Sequence, residues 1–237
     1  MKSKHIAAFA AVLIAAPAAH AGEMTGNVGA TSDYMFRGID QTEGAAVQGG
    51  VDYTFDFGLY TGLWVSNSVS GGGNEADAYV GYTLKLGEFG LDVGAIYYGY
   101  TEDTEVGMPN TDYAEVYVGG GIGPVALKVF YAPEFGGDTG GLVSGDADKN
   151  ELLYVTASAQ LTLTESVTFV PQIGFSSGDG VKDAFGDEYA DFSLTATKAL
   201  KDDASVSLAI VGTDRDLGPD NKDNAKFVVS FKKNFDI

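Results

Sequence analysis

The sequence predicts an all-β protein, a closed up-and-down antiparallel transmembrane β-barrel of about twelve strands. Three observations predict it. Apolar and polar residues alternate with period two along nearly all of the chain beyond residue 21. The connections between these alternating segments are by turns short and long. Aromatic residues of the apolar register gather towards segment ends.

The chain divides into 1–21, read as a cleaved signal peptide, and 22–237, read as the barrel. Met1-Lys2-Ser3-Lys4 is a basic head, Ile6 to Ala16 an apolar run too short to span a bilayer as a helix, and Ala19-His20-Ala21 a small-residue cleavage site. Removal of Lys2 and Lys4 with this leader leaves 12 of the 14 basic residues against 33 acidic ones, a formal charge of −21.

The strands follow in order. Asn27–Arg37 opens the barrel. In Ala46–Phe57, Val47, Gly49, Val51, Tyr53, Phe55 and Phe57 share one face, with Gln48, Asp52, Thr54 and Asp56 on the other. Leu59–Ser68 is weaker, because polar residues break its pattern. Glu75–Leu86 sets Ala76, Ala78, Val80, Tyr82 and Leu84 against Glu75, Asp77, Tyr79 and Thr83. Leu91–Tyr100, Asp112–Gly120 and the short Val125–Tyr131 follow, then Glu151–Leu161, Val167–Phe175, Glu188–Lys198, Ser205–Thr213 and Ala225–Phe235. Most are near the roughly 9–11 residues that a tilted strand needs to cross a hydrocarbon layer.

Gly58, Gly87–Gly90, Gly121–Pro124, Thr162–Ser166 and Ala199–Ala204 are the short connections. Gly38–Ala45, Val69–Asn74, Thr101–Thr111, Ala132–Asn150, Ser176–Asp187 and Asp214–Asn224 are the long ones, and the last four are acidic. Short turns at one rim and long loops at the other are the outer-membrane pattern. Aromatics expected at the long-loop rim are Tyr34, Phe36, Tyr97, Tyr131 and Phe175; those at the short-turn rim are Phe55, Phe57 and Phe235.

A sheet in hydrocarbon must close, because every unpaired N–H and C=O at an edge costs several kcal/mol there, about 4–8 in alkane. The apolar face then meets lipid. The polar face lines the lumen, with Asp33, Asp52, Asp56, Glu75, Asp77, Asp92, Glu115 and Asp191 against Arg37, Lys85, Lys128, Lys226 and Lys232. The pore-lining candidates are Asp33, Arg37, Asp52, Asp56, Glu75, Asp77, Asp92, Glu115, Lys128 and Asp191. Asp33 and Arg37, four apart on one strand, are expected to form a lumenal ion pair, with a selectivity contact as the alternative.

Cysteine is absent and both histidines, His5 and His20, lie in the leader. That removes disulfides, zinc sites of the Cys/His kinds and His-dependent catalytic triads. The acidic balance argues against nucleic acid, whose phosphates need Lys and Arg. Asp146-Ala147-Asp148-Lys149-Asn150 begins like a calcium loop, but Glu151 and Ala157 stand where glycine and glutamate are required. Gly119-Gly120-Gly121 precedes a strand, so it is a turn and not a phosphate loop. No catalytic, cofactor or metal site is read, and the chain is not expected to be an enzyme.

Ser32-Asp33-Tyr34-Met35-Phe36-Arg37-Gly38-Ile39-Asp40-Gln41-Thr42, Val47-Gln48-Gly49-Gly50-Val51-Asp52-Tyr53 and Gly58-Leu59-Tyr60-Thr61-Gly62-Leu63-Trp64-Val65-Ser66-Asn67 resemble the N-terminal signature of the bacterial Gcw_chp, or TorF, porin family. Asp40 stands where the pattern favours a small polar residue. The resemblance implies an outer-membrane barrel and a pore, without a substrate. The function expected is passive diffusion of small polar solutes with modest cation preference. The alternative is a structural or surface-interaction barrel with acidic cation-binding loops. Outer-membrane lipid and lipopolysaccharide are the expected surroundings. The barrel-assembly machinery is the expected partner of the C-terminal strand, with its alternating Phe227, Phe231 and Phe235.

Overall fold

The computed structural model describes residues 22–42, 44–67, 73–101, 112–136, 150–217 and 225–237. The leader 1–21 and the loop acids Glu102, Asp103, Glu105, Asp138, Asp146, Asp148, Asp220 and Asp223 lie outside the described residues.

The wall is one closed antiparallel sheet. It runs through β1 (Glu23–Thr31), β4 (Ala46–Thr54), β5 (Leu59–Asn67), β6 (Asn74–Leu86), β7 (Phe89–Tyr100), β8 (Tyr113–Ile122) and β9 (Val125–Ala132). It continues through β10 (Leu152–Ala159) and its extension β11 (Leu161–Thr164), then β12 (Val167–Ser177), β13 (Tyr189–Ala199), β14 (Ala204–Thr213) and β15 (Ala225–Asp236). Counting β10 and β11 as one, twelve strands form the ring. The last strand closes on the first, from Thr25 opposite Asp236 to Thr31 opposite Ser230. No sheet edge remains to face hydrocarbon.

The period-two pattern decides which face is which. On β6, Val80 and Leu84 are exposed on the outside while Glu75 is buried inside. Val47, Leu63, Val116, Leu127, Ile173, Leu208 and Phe227 are likewise outside and exposed. A continuous apolar exterior around a polar interior inverts the order of a water-soluble barrel. Short turns and both described chain ends gather at one rim. Gly87 and Gly123 begin two of these turns with positive φ, 67° and 57°, which a Cβ would strain.

Two elements leave the wall at the long-loop rim. β2 (Met35–Phe36) and β3 (Ile39–Asp40) form a small hairpin, and α1 (Asp179–Phe185) lies in the β12–β13 connection, which reads as plain loop in the sequence. The first strand therefore corrects the expectation of Asn27–Arg37. The wall strand ends at Thr31, whose hydroxyl donates to the Asp33 carbonyl at 2.8 Å as the chain turns inward. The hairpin reverses at Arg37 and Gly38, both with positive φ, 49° and 81°, the sign that a two-residue type I′ turn requires.

Candidate functional site: the lumen

The hairpin fills much of the lumen's long-loop half. Phe36 packs edge-on against Tyr98 of β7 at 5.9 Å. Tyr34 packs against Trp64 of β5 with the rings tilted and their centroids 5.4 Å apart, and its hydroxyl donates to Glu75 of β6 at 3.3 Å. Buried in the same region are Ile96, Tyr98, Tyr113, Phe130, Leu152, Tyr154, Tyr189 and, from α1, Val181. Tyr34 and Phe36 thus belong to the lumen filling and not to a lipid-facing girdle. Tyr97, Tyr131 and Phe175 do stand exposed on the outer face.

Arg37, at the hairpin tip, reaches the far wall. Its Nη2 donates to Glu115 of β8 at 2.7 Å, and Tyr98 donates to the same carboxylate at 3.1 Å. The guanidinium carbon lies 4.3 Å from the Tyr154 ring centroid, 4.7 Å from Phe36 and 5.3 Å from Phe130. Burial opposes this charge, but the adjacent Glu115 carboxylate outweighs it and holds the guanidinium above its ordinary pKa. Tyr154 in turn donates to Asp191 at 3.1 Å. Asp33 stays at the near wall, 3.7 Å from Lys226 of β15, which also binds Asp40. The expected Asp33–Arg37 pair is therefore corrected: the hairpin carries the two residues to different walls and different partners.

Nearer the short-turn rim, a lattice of tyrosines and charges covers β4 to β9. Tyr79 donates to Asp52, Tyr60 donates to Asp92 at 2.7 Å, and the Tyr60 and Tyr117 hydroxyls meet. Lys128 donates to Asp92 at 2.8 Å, with its Nζ 3.8 Å from the Tyr117 centroid. The sequence builds this lattice by pairing each ring with a glycine across the ladder, Tyr79 with Gly62, Tyr60 with Gly81 and Tyr117 with Gly94. A Cβ at any of these glycines would run into the ring or its hydroxyl. Apart from Asp191, the inner side chains on β12 to β14 are uncharged, including Thr168, Gln172, Ser193, Thr195, Thr197, Ser205 and Ser207.

Of the sequence-derived candidates, Asp52, Glu75, Asp77, Asp92, Glu115, Lys128 and Asp191 point inward from wall strands. Asp33 and Arg37 enter on the inward-folded connection. Asp56 does not lie in the wall: it sits in the turn after β4, exposed, accepting from the Gly22 backbone N–H at 2.5 Å. Lys85 is exposed near the end of β6. The sequence reading missed Asp40 and the inner tyrosines Tyr60, Tyr98, Tyr117 and Tyr154. For Tyr60 and Tyr117 the signal was a tyrosine in the polar register opposite glycine, Gly81 and Gly94; Tyr98 and Tyr154 stand opposite other residues and carried no such signal.

Residues 15–235 match the family described as "Bacterial protein of unknown function (Gcw_chp)". The chain belongs to this family. Its fold is similar to the solved "KdgM porin in complex with disordered oligogalacturonate", with a TM-score of 0.60 and 9% identity over 89% of this chain and 99% of that one. It is also similar to the NanC porin, with a TM-score of 0.59 and 11% identity over 88% of this chain and 97% of that one. At such identities the likeness concerns the fold. A search of curated proteins finds no sequence match. This Gcw_chp chain therefore has a porin-type barrel whose lumen is polar and occupied in its long-loop half by its own first connection.

Proposed function

We propose that the protein is an outer-membrane channel for passive diffusion of small polar solutes, with a modest preference for cations. The observation that carries this is the charge of the inner face. Asp33, Asp40, Asp52, Glu75, Asp77, Asp92, Glu115 and Asp191 meet only Arg37, Lys128, Lys226 and Lys232 among the described residues. A net-negative, low-dielectric passage concentrates cations and repels anions. The oligogalacturonate named with the KdgM porin is a polyanion, which this interior does not favour. The leader 1–21 is removed on export in this reading. The outward row of Phe227, Phe231 and Phe235 on β15 presents the alternation for the barrel-assembly machinery, and the acidic loops face lipopolysaccharide.

Reconstitution in planar bilayers across a KCl gradient tests the proposal. Discrete current steps with a reversal potential displaced towards that of potassium are expected. Folded barrels that never conduct contradict it. The packed aromatic filling under the long-loop rim favours a second reading, a structural barrel whose acidic loops bind cations or a surface partner. Loop deletions that leave envelope integrity and surface attachment unchanged count against that reading.

A further inference from the structure

We propose that the β2–β3 hairpin is a movable gate and that Arg37 latches it shut. This rests on the channel reading and deepens it.

The hairpin has a short ladder of its own, Met35 opposite Asp40 and Phe36 opposite Ile39, extended by the Gln41 N–H donating to the Tyr34 carbonyl at 2.7 Å. The ladder that closes the wall runs beneath it without its help, from β1 to β15 and from β1 to β4. The hairpin can therefore leave its seat while every wall strand stays paired. Its place in the lumen depends on side chains: Phe36 packs on Tyr98 and Tyr34 on Trp64, and polar ties fix its two ends. Lys226 holds Asp33 and Asp40 at the near wall, and Glu115, Tyr98, Phe130 and Tyr154 hold Arg37 at the far wall.

The far seat carries marks of a state that is not the most stable one imaginable for those groups. Arg37 is a non-glycine residue held at φ 49°. Its Nη1 and the Glu115 Oε1 are buried and have no hydrogen-bond partner among the described residues, although their Nη2 and Oε2 atoms are joined. A buried charge pair satisfied on one side only is a poor source of permanent stability. Polar ties of this kind can be exchanged for water, which an all-apolar plug cannot do.

Withdrawing the hairpin also moves charges out of the passage. Arg37 and Asp40 leave with it. Glu75, Asp77, Glu115 and Asp191 remain on the wall, with Lys226. Glu115 loses its counter-charge at the far wall and Lys226 loses Asp40 at the near wall, so withdrawal redistributes the lumenal charge and leaves its sum the same.

The test uses the full-length mature protein in planar bilayers under a KCl gradient, with folding checked by heat-modifiable gel migration. Arg37→Ala is expected to raise the open probability at least about tenfold, equivalent to about 1.4 kcal/mol in the closed–open equilibrium. Exchanging the charges, Arg37→Glu with Glu115→Arg, is expected to return the open probability towards wild type. Lys226→Ala frees the near end and is expected to raise opening while leaving Arg37 in place; it decides the matter if Arg37→Ala does not fold. Folded variants with wild-type opening overturn the gate and leave the channel standing. Absence of current from wild type and every variant overturns both.

Discussion

Replacing Lys128 by methionine isolates the charge on β9, because methionine keeps much of the aliphatic stem and removes the ammonium. In the wild type Nζ lies 2.8 Å from Asp92 and 3.8 Å from the Tyr117 centroid. Two unit charges at that first distance attract by about 6 kcal/mol at an effective dielectric of about 20. Desolvation offsets much of this gain, but the substitution does not recover it, since Asp92 stays inside with only the Tyr60 hydroxyl to solvate it. Removing one partner of a buried pair costs about 3–5 kcal/mol. The side chains here retain 10% and 15% exposure, so about 2–4 kcal/mol is the expected loss. Urea unfolding of the barrel in lipid vesicles, followed by tryptophan fluorescence of Trp64, measures it. Asp92→Asn in the Lys128→Met background should cost less than it does alone, with a coupling of about 1–3 kcal/mol in the double-mutant cycle. A single-variant loss below about 0.5 kcal/mol, or additivity within about that figure, refutes the reasoning.

Further outcomes follow from the same geometry. Leu63→Arg, at an exposed lipid-facing position in the middle of β5, should destabilise by about 2–4 kcal/mol, whereas Phe57→Arg at the short-turn rim should cost about 0–1, both by urea unfolding in vesicles. Equal costs at the two depths contradict the placement of the hydrocarbon layer. Gly81→Val pushes a side chain into the Tyr60 ring and the Tyr117 hydroxyl, and about 1–3 kcal/mol of overpacking should appear in the same assay; a neutral result means the rings do not lie over the glycines. The cation preference should fall as salt rises from 0.1 to 1 M, where screening shortens from about 10 Å to about 3 Å; a reversal potential that keeps the same selectivity ratio across that range argues against lumenal charge as its origin.

The wall was largely legible because the membrane imposes one rule on every strand. Outward Val80 and inward Glu75 follow from period two alone, and β5, where polar residues break the alternation, and the short β9 still begin at Leu59 and Val125 as expected. The lumen's filling was not legible, since alternation carries no information about where a chain leaves the sheet. Tyr34 and Phe36 continue the apolar register and Asp33 and Arg37 the polar one, so the segment reads as strand although it folds inward. The usable signal was Arg37-Gly38 between Phe36 and Ile39, a two-residue hairpin turn with glycine second. The pairing of Arg37 with Glu115, 78 residues away, depends on that fold-back and on the register of the intervening wall strands β4 to β7, which no local pattern contains. The short α1 escaped for a different reason. Its seven residues are too few to show a helical period, and Gly186 at φ 82° is its one clear stop signal.

The barrel has an apolar outside and a wet inside, and β6 offers the most direct test of this order. The chain has no cysteine, so nitroxide labels can be attached singly after substitution of Asp77, Ala78, Tyr79, Val80, Thr83 and Leu84 in vesicle-embedded protein. Relaxation by oxygen, which partitions into lipid, should be high at 78, 80 and 84 and low at 77, 79 and 83. Uniform relaxation along the strand, or the opposite alternation, would contradict the barrel as described.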